Sequence, residues 1–497
     1  MIKPCYKGKL VKIFWLFILV YLAAGASSMA IGPDFGKINE TITGKRTANK
    51  KRIKAKVRGL ISGMPEKVLA AQNYDKVEMP TIDAAVNDAL QVAKEKYLTL
   101  VDGGFHENGR VIRVPSDRPT IGQAIDVAQP GDTVVVAPGI CYEQILLKDG
   151  VKLVSASTDG GDELLAVEKA RLQLPRRTLR TVIDGSRTTP SKRGMVDFDP
   201  GVSDKTIIDG FTIRNLPSQN HHTAGHAHGL NIRGASPVIV NCYIKDMGST
   251  GIGSHVVYHD QQGPMRARDF RWANIKHPAS AIIYNNIITG SLGLGIGCNH
   301  FASPFILGNE LFANDDSELG DKPSPGMGNK HGCYATIIAN IVHDNPGGGI
   351  LSQVGKKQGK YGIDRPTHPT IVNNVVYDNG ADRPGISAKG AGSLSRPVVM
   401  RGNYVYNSGV TGIGLSDKAI GIIEENMVSN PKKPGIAVKE SVALKLNTNR
   451  VTNLNGTVGI VIIDGSVVDE MIGNAVDADV DAPPYRKDSD SKIKSND

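Results

Sequence analysis

One residue type at one recurring place limits what this chain can fold into. Asn286, Asn309, Asn340, Asn374, Asn403, Asn426, Asn449 and Asn474 each stand between two short apolar runs, and their successive separations are 23, 31, 34, 29, 23, 23 and 25 residues. The segments from Pro237, Ala281, Pro369, Pro397 and Ala419 share the template: a short apolar strand, an Asn, a second strand, a turn, then Gly-Ile opening a third. A unit of about 23 residues cannot bury its apolar face alone, so it must stack on copies of itself as a solenoid. Stacked Asn side chains at one corner can then satisfy each other and the turn backbone. Cys242 takes the Asn place in an earlier coil.

The longer separations locate insertions. From the Asn to the Gly of Gly-Ile the usual distance is 9 residues, and from that Gly to the next Asn it is 14. Against this baseline Gly251 to Asn286 carries 21 extra residues, Gly349 to Asn374 carries 11, and Asn309 to Gly332 carries 14. Insertions that flank one strand of a solenoid raise walls around a surface. The walls fall at residues 256 to 279, 313 to 330 and 354 to 368. Side chains alternate along a strand, so the fourth residue after each Gly points outward. That column reads Arg233, His255, Asn299, Thr336, Gln353, Lys389, Ser416 and Lys439. Arg233 to Lys389 would span on the order of 24 Å at about 4.8 Å per coil. Eleven of the twelve histidines lie between His221 and His368, in the same stretch. The same alternation turns Cys298 and Cys333 inward on neighbouring strands, as small core filler in preference to a disulfide.

The ends read differently. Residues 1–30 carry four Lys ahead of an apolar run from Ile13 to Ala24 and then small residues, the pattern of a cleaved secretory signal. Its removal lowers the formal net charge from +9 to +5. The mature chain is therefore expected outside the cytoplasm, secreted or in the periplasm or cell envelope, with no membrane span. The basic run from Arg46 to Arg58 reads as solvated linker, not as a nucleic-acid arm. Residues 31–110 form a linker and a helical segment around Thr81 to Tyr97, residues 111–476 the solenoid, and residues 477–497 a polar tail expected to be disordered. The sequence contains no signal for oligomeric state.

PTIGQAIDVAQPGDTVVVAPGICYEQILL, from Pro119 to Leu147, sets a short amphipathic helix before a β-branched strand. With the repeats it resembles secreted right-handed parallel β-helix proteins of the pectin-lyase-like superfamily, a resemblance covering about residues 111 to 476. It implies an all-β, single-stranded right-handed parallel β-helix whose N-terminal helix caps the open end. Relatives include pectate, alginate and chondroitin-type lyases, polygalacturonases and mannuronan epimerases. The Asn-Thr-Asp motif of the hydrolases and the Asp-Pro-His-Asp signature of the epimerases are absent, so no catalytic set transfers intact.

A lyase needs a cation beside the uronate carboxylate and a base at the C5 proton. His255, Lys330, His331 and Lys389 are the candidates for catalysis. Arg233, Asn299, His300, Gln353 and, on the insertions, Arg268, Arg271, Trp272 and Arg365 are the candidates for binding an anionic polysaccharide, since guanidinium groups grip carboxylate or sulfate. No cofactor is required; Asp315, Asp316, Glu318 and Asp321 offer oxygens to Ca²⁺, and His226 and His228 lack a clear third metal ligand. The other reading is a non-catalytic β-helix that binds glycan or serves as a structural element of the cell envelope, and fold alone does not choose between the two.

Overall fold

The structure is a computed structural model, and it describes residues 78–101, 109–188, 194–217, 228–258, 275–314, 323–354, 366–477 and 483–496. The expected signal segment and the basic run lie outside these residues. Among the described residues no helix is long and apolar enough to cross a membrane.

Among the described residues the coils build three parallel sheets, of 14, 12 and 12 strands, and a full coil gives one strand to each. Strands of two to six residues face inward with Ile, Val, Leu and Met, and one continuous core runs from Ile112 to Met471. At the N-terminal end helix α1 (Ile82–Val101) precedes helix α2 (Ile121–Val127). Helix α2 starts where Thr120 accepts from the Gln123 amide, and its buried Ile121, Ala124 and Ile125 close the end of the core, as a cap must.

The Asn ladder sets the stacking. Asn340 Nδ2 donates to the carbonyls of Ile306 and Ile338 and to Asn374 Oδ1, at 2.9–3.0 Å. Its own Oδ1 accepts from Asn309 N and Nδ2. The same links run from Cys242, whose amide donates to Asn286 Oδ1, to Asn474. The residue before each ladder Asn turns the corner at positive φ, which suits Asn285, Asn373, Gly308 and Gly402 and is tolerated at Ala339 and Glu425. A second ladder escaped the sequence reading: Asn314, Asn345 and Asn379, each five residues after a ladder position, repeat the pattern at the next corner. Ser291, at its upper end, donates its amide to Asn314 Oδ1.

Two elements outside the repeat lie along it. Helix α1 packs Ala85, Val86, Ala89 and Ala93 on Leu307, Ile338, Ile341, Val375 and Tyr377, and Tyr97 stacks on Tyr284 at 3.6 Å. Its 20 residues make it about 30 Å long, the height of six coils, so it straps the solenoid lengthwise. An antiparallel hairpin (Leu164–Ala166 with Gln173–Pro175) is tied down by Glu310, whose carboxylate accepts from the amides of Arg171 and Leu172.

The tail differs from expectation. Tyr485–Lys487 pairs with Ile460–Ile463 and Lys492–Asn496 with Val467–Met471, forming a further coil. A serine ladder builds it: Ser441 N donates to Ser466 Oγ and Ser466 N to Ser491 Oγ, and Ile493 packs on the core. The expectation rested on the polar composition of the tail, which hid this period of 25 residues between the three serines.

If the Asn ladder holds the coils, Asn340→Ala should cost about 2–4 kcal/mol by stranding buried carbonyls and amides. Urea denaturation checks this, and a loss under about 1 kcal/mol would show that the ladder is incidental.

Candidate functional site

The third sheet carries the outward column. Its four-residue strands Leu230–Arg233, Ile252–His255, Ile296–Asn299, Met327–Lys330, Ile350–Gln353 and Ile386–Lys389 pair in strict register. First and third residues point into the core, second and fourth out. The fourth positions therefore align Arg233, His255, Asn299, Lys330, Gln353 and Lys389 on one face. Thr336 is not among them: it starts a strand of the first sheet, and Lys330 holds the place assigned to it. The Gly that opens this coil's strand is Gly326, not Gly332, which sits in a turn at φ +79°. The 14 residues from Gly326 to Asn340 match the usual spacing, so the true register was readable. The shift also shortens the second insertion.

The second positions hold Asn231, Gly253, Gly297, Gly328, Leu351 and Ser387. The three glycines let other side chains lie flat on the sheet. A Cβ on Gly253 would come within 2.5 Å of the His228 ring, and one on Gly297 or Gly328 would meet Leu294 at 3.0 or 2.8 Å. His228 thus rests against the sheet face. Asn231 donates to Asp197 Oδ1 at 2.9 Å and closes the upper end of this row.

Directly after the fourth position the chain turns through the left-handed region at Gly234, His300, His331, Gly390, Asp417, Glu440 and Asp464. His300 and His331 stack with ring centroids 5.0 Å apart and planes 9° from parallel. Burial, and next the neighbouring His331, push the His300 imidazole down to about 4, so it is neutral at neutral pH and able to accept a hydrogen bond. Lys389 does not stand as a free amine: its Nζ pairs with Asp417 Oδ2 at 2.7 Å. That pair is exposed, and it places Lys389 at the end of the face as one half of a charge pair, two strands beyond Lys330.

Inside, under these same coils, the third positions turn polar: Ser254, Cys298, Asn329 and Ser352, against Ile232 before and Ala388 after. Asn329 donates to Ser352 Oγ at 3.1 Å. Cys298 and Cys333 are free, buried thiols; Cys333 lies in the turn beyond Lys330 and not on a neighbouring strand, and donates to the Lys330 carbonyl at 2.9 Å. Burial pushes the Cys298 thiol up to about 12, as expected of core filler.

The structure thus brings together Arg233, His255, Asn299, His300, Lys330, His331 and Gln353. Arg268, Arg271, Trp272 and Arg365 lie outside the described residues, as do the acidic insertion residues considered for Ca²⁺ and His226. The first insertion leaves the solenoid as an antiparallel ribbon, Val257–Tyr258 against Ile275–His277. Among the described residues, no group of three or more His, Cys, Asp or Glu lies together as metal ligands would. The histidine concentration itself divides. His343 belongs to the second sheet, between Phe312 and Tyr377 and bonded to Glu310 at 2.9 Å, while His368 stacks on Tyr334 at the corner leading to the first sheet.

The depressed His300 has a stability consequence. Between about 6.5 and about 4 the unfolded imidazole binds a proton that the folded one refuses, so stability present above that window is lost as pH falls through it. His300→Asn keeps a residue at home in the left-handed region and should flatten this dependence in denaturation measured from pH 7 to 4. An unchanged slope would show that His300 protonates as readily folded as unfolded.

Residues 356–475 match the family model described as right handed beta helix region, and residues 116–267 match protein of unknown function (DUF1565). No curated protein matches the sequence. Among solved structures the chain is similar to the mannuronan C-5 epimerase AlgE6 A-module of Azotobacter vinelandii, at 16% identity and TM-score 0.40 over 79% of this chain and 98% of that one. It is also similar to the polygalacturonase of Erwinia carotovora ssp. carotovora, at 11% identity and TM-score 0.38 over 78% and 96%. Likeness at that level says nothing of activity. The three-sheet coil geometry and the match over residues 356–475 give this chain the right-handed parallel β-helix fold.

Proposed function

We propose that the third-sheet face from Arg233 to Lys389 binds an anionic polysaccharide and cleaves it by β-elimination. The observation that carries this reading is the register, which lines up Arg233, His255, Asn299, Lys330, Gln353 and Lys389 across six adjacent strands. The face is therefore a straight track of cations and hydrogen-bonding groups about 24 Å long, matched to an extended chain with a regular spacing of negative charge.

In this reading Lys330 neutralises the uronate carboxylate and so acidifies the C5 proton. His331, on the next residue, removes that proton as general base. The electron pair left at C5 forms the C4–C5 double bond, the C4–O bond breaks, and the departing oxygen takes up a proton. The His300 ring stacked on His331 fixes its plane, and Asn299 and Gln353 supply hydrogen bonds to sugar hydroxyls. Arg233 holds a carboxylate at one end of the track, and the Lys389–Asp417 pair closes the other.

Incubation of the signal-free protein with alginate, pectate, heparin-like and chondroitin chains, followed by ultraviolet absorbance, reads the unsaturated product directly. One of these substrates should give absorbance, and His331→Ala should lower the rate by at least about 100-fold, the scale of a lost general base. Binding without absorbance or new reducing ends would move the protein to the non-catalytic glycan-binding reading. Cleavage unaffected by His331→Ala would sink the assignment of the base.

A further inference from the structure

Beside the polar row of the track runs a second row with a different character. From Gly253 on, the second strand positions are Gly253, Gly297, Gly328, Leu351 and Ser387, and none carries a charge. A glycine inside a strand gives up side-chain packing, and three on adjacent strands mark a place where another group approaches the backbone closely. Here that group is a side chain from the corner ahead of the strand.

The residues two places ahead of the six strands form one column by register: His228, Thr250, Leu294, Pro325, Gly348 and Pro384. Leu294 is the large aliphatic member of this column. It leans across two strands, 3.0 Å from where a Cβ on Gly297 would stand and 2.8 Å from one on Gly328. The Thr250 methyl group flanks it over Gly297 at 3.5 Å, and Leu351 follows beside Gly328 in the register. Leu294 and Leu351 are both half-buried, so each keeps part of its aliphatic surface toward solvent. On these same strands the fourth positions are Asn299, Lys330 and Gln353, two residues along and therefore about 7 Å away. An apolar strip and a polar row thus run side by side along the middle of the track.

We infer that Leu294 and Leu351 form an apolar floor that takes the C–H face of a pyranose unit while the charged edge of that unit reaches the polar row. The inference rests on the anionic-polysaccharide reading of this face and names the class of chain it accepts. A ring lying flat on the sheet spans both rows, and covering the leucines removes apolar surface from water on both partners. A sulfate on the opposite edge of the ring would sit over leucine, with no cation in that row to receive it. An ion desolvated without a partner is costly. The floor therefore selects uronate chains charged along one edge over chains that also carry sulfate.

The test measures binding of size-matched alginate, pectate, heparin-like and chondroitin sulfate oligosaccharides to the full mature protein, by calorimetry at low and at high salt. At high salt, where the surplus charge of a sulfated chain counts least, alginate or pectate should bind more tightly than either sulfated chain. Leu294→Ser should weaken the preferred ligand about tenfold, by the same factor at both salts, and make the heat-capacity change of binding less negative. Gly328→Ala keeps the leucine but drives it off the floor, since the new methyl would stand 2.8 Å from it, and should weaken binding in the same way. A thermal melt confirms that each variant is folded. Tighter binding of a sulfated chain at high salt, or unchanged affinity in both folded variants, overturns the floor and leaves the binding reading in place. Absence of binding by all four chains overturns both.

Discussion

A side-chain amide that bonds to the coil above, the coil below and its own corner is what the rest of this molecule depends on. Asn309, Asn340 and Asn374 each donate to two carbonyls and one amide oxygen, and accept from the backbone and side chain of the preceding ladder Asn. Because every buried polar group at the corner is used, a coil cannot slip relative to its neighbour without stranding several of them at once. Register in the second sheet follows, and register in the third follows from that, since the same short chain segment closes the coil.

Strict register has a chemical product. Side chains that are 22 to 44 residues apart in sequence, such as Arg233, His255 and Asn299, become neighbours on a track with the spacing of a β-sheet. The insertions interrupt the sequence without interrupting the stack, because they leave the solenoid at turns and return to the same register. The track is also tuned from below. Glycines at 253, 297 and 328 lower the row beside it so that His228 and Leu294 lie flat, and the corner residues His300 and His331 stack with one imidazole held neutral. Polar Ser254, Asn329 and Ser352 sit in the core only under these coils, a departure from the apolar rule elsewhere in the column. Such departures concentrate where a structure serves something other than stability.

Much of this was legible in the sequence, because the repeat is carried by side chains whose role depends on place. The ladder Asn, the short helix from Ile121 and the outward column apart from Thr336 were readable from spacing, and the capping role of that helix from the family resemblance. Lys330 was not placed, because Gly332-Cys333 imitated the Gly-apolar opening that Gly326-Met327 supplies; the 14-residue rule would have chosen correctly. The last coil was hidden by polar composition, since its core contribution is little more than Ile493 and a serine ladder of period 25. Ion pairs between coils, such as Lys389 with Asp417, depend on which way long side chains lean, and spacing carries no record of that.

The central claim is that the third-sheet face, and not another surface of the solenoid, receives an anionic polysaccharide. Hydrogen–deuterium exchange with and without a saturating uronate oligosaccharide tests it most directly. The account predicts added protection in residues 230–234, 252–256, 296–300, 327–331, 350–354 and 386–390, with the coils after Asp417 unchanged. Protection confined to the first or second sheet, or to the C-terminal coils, would contradict it.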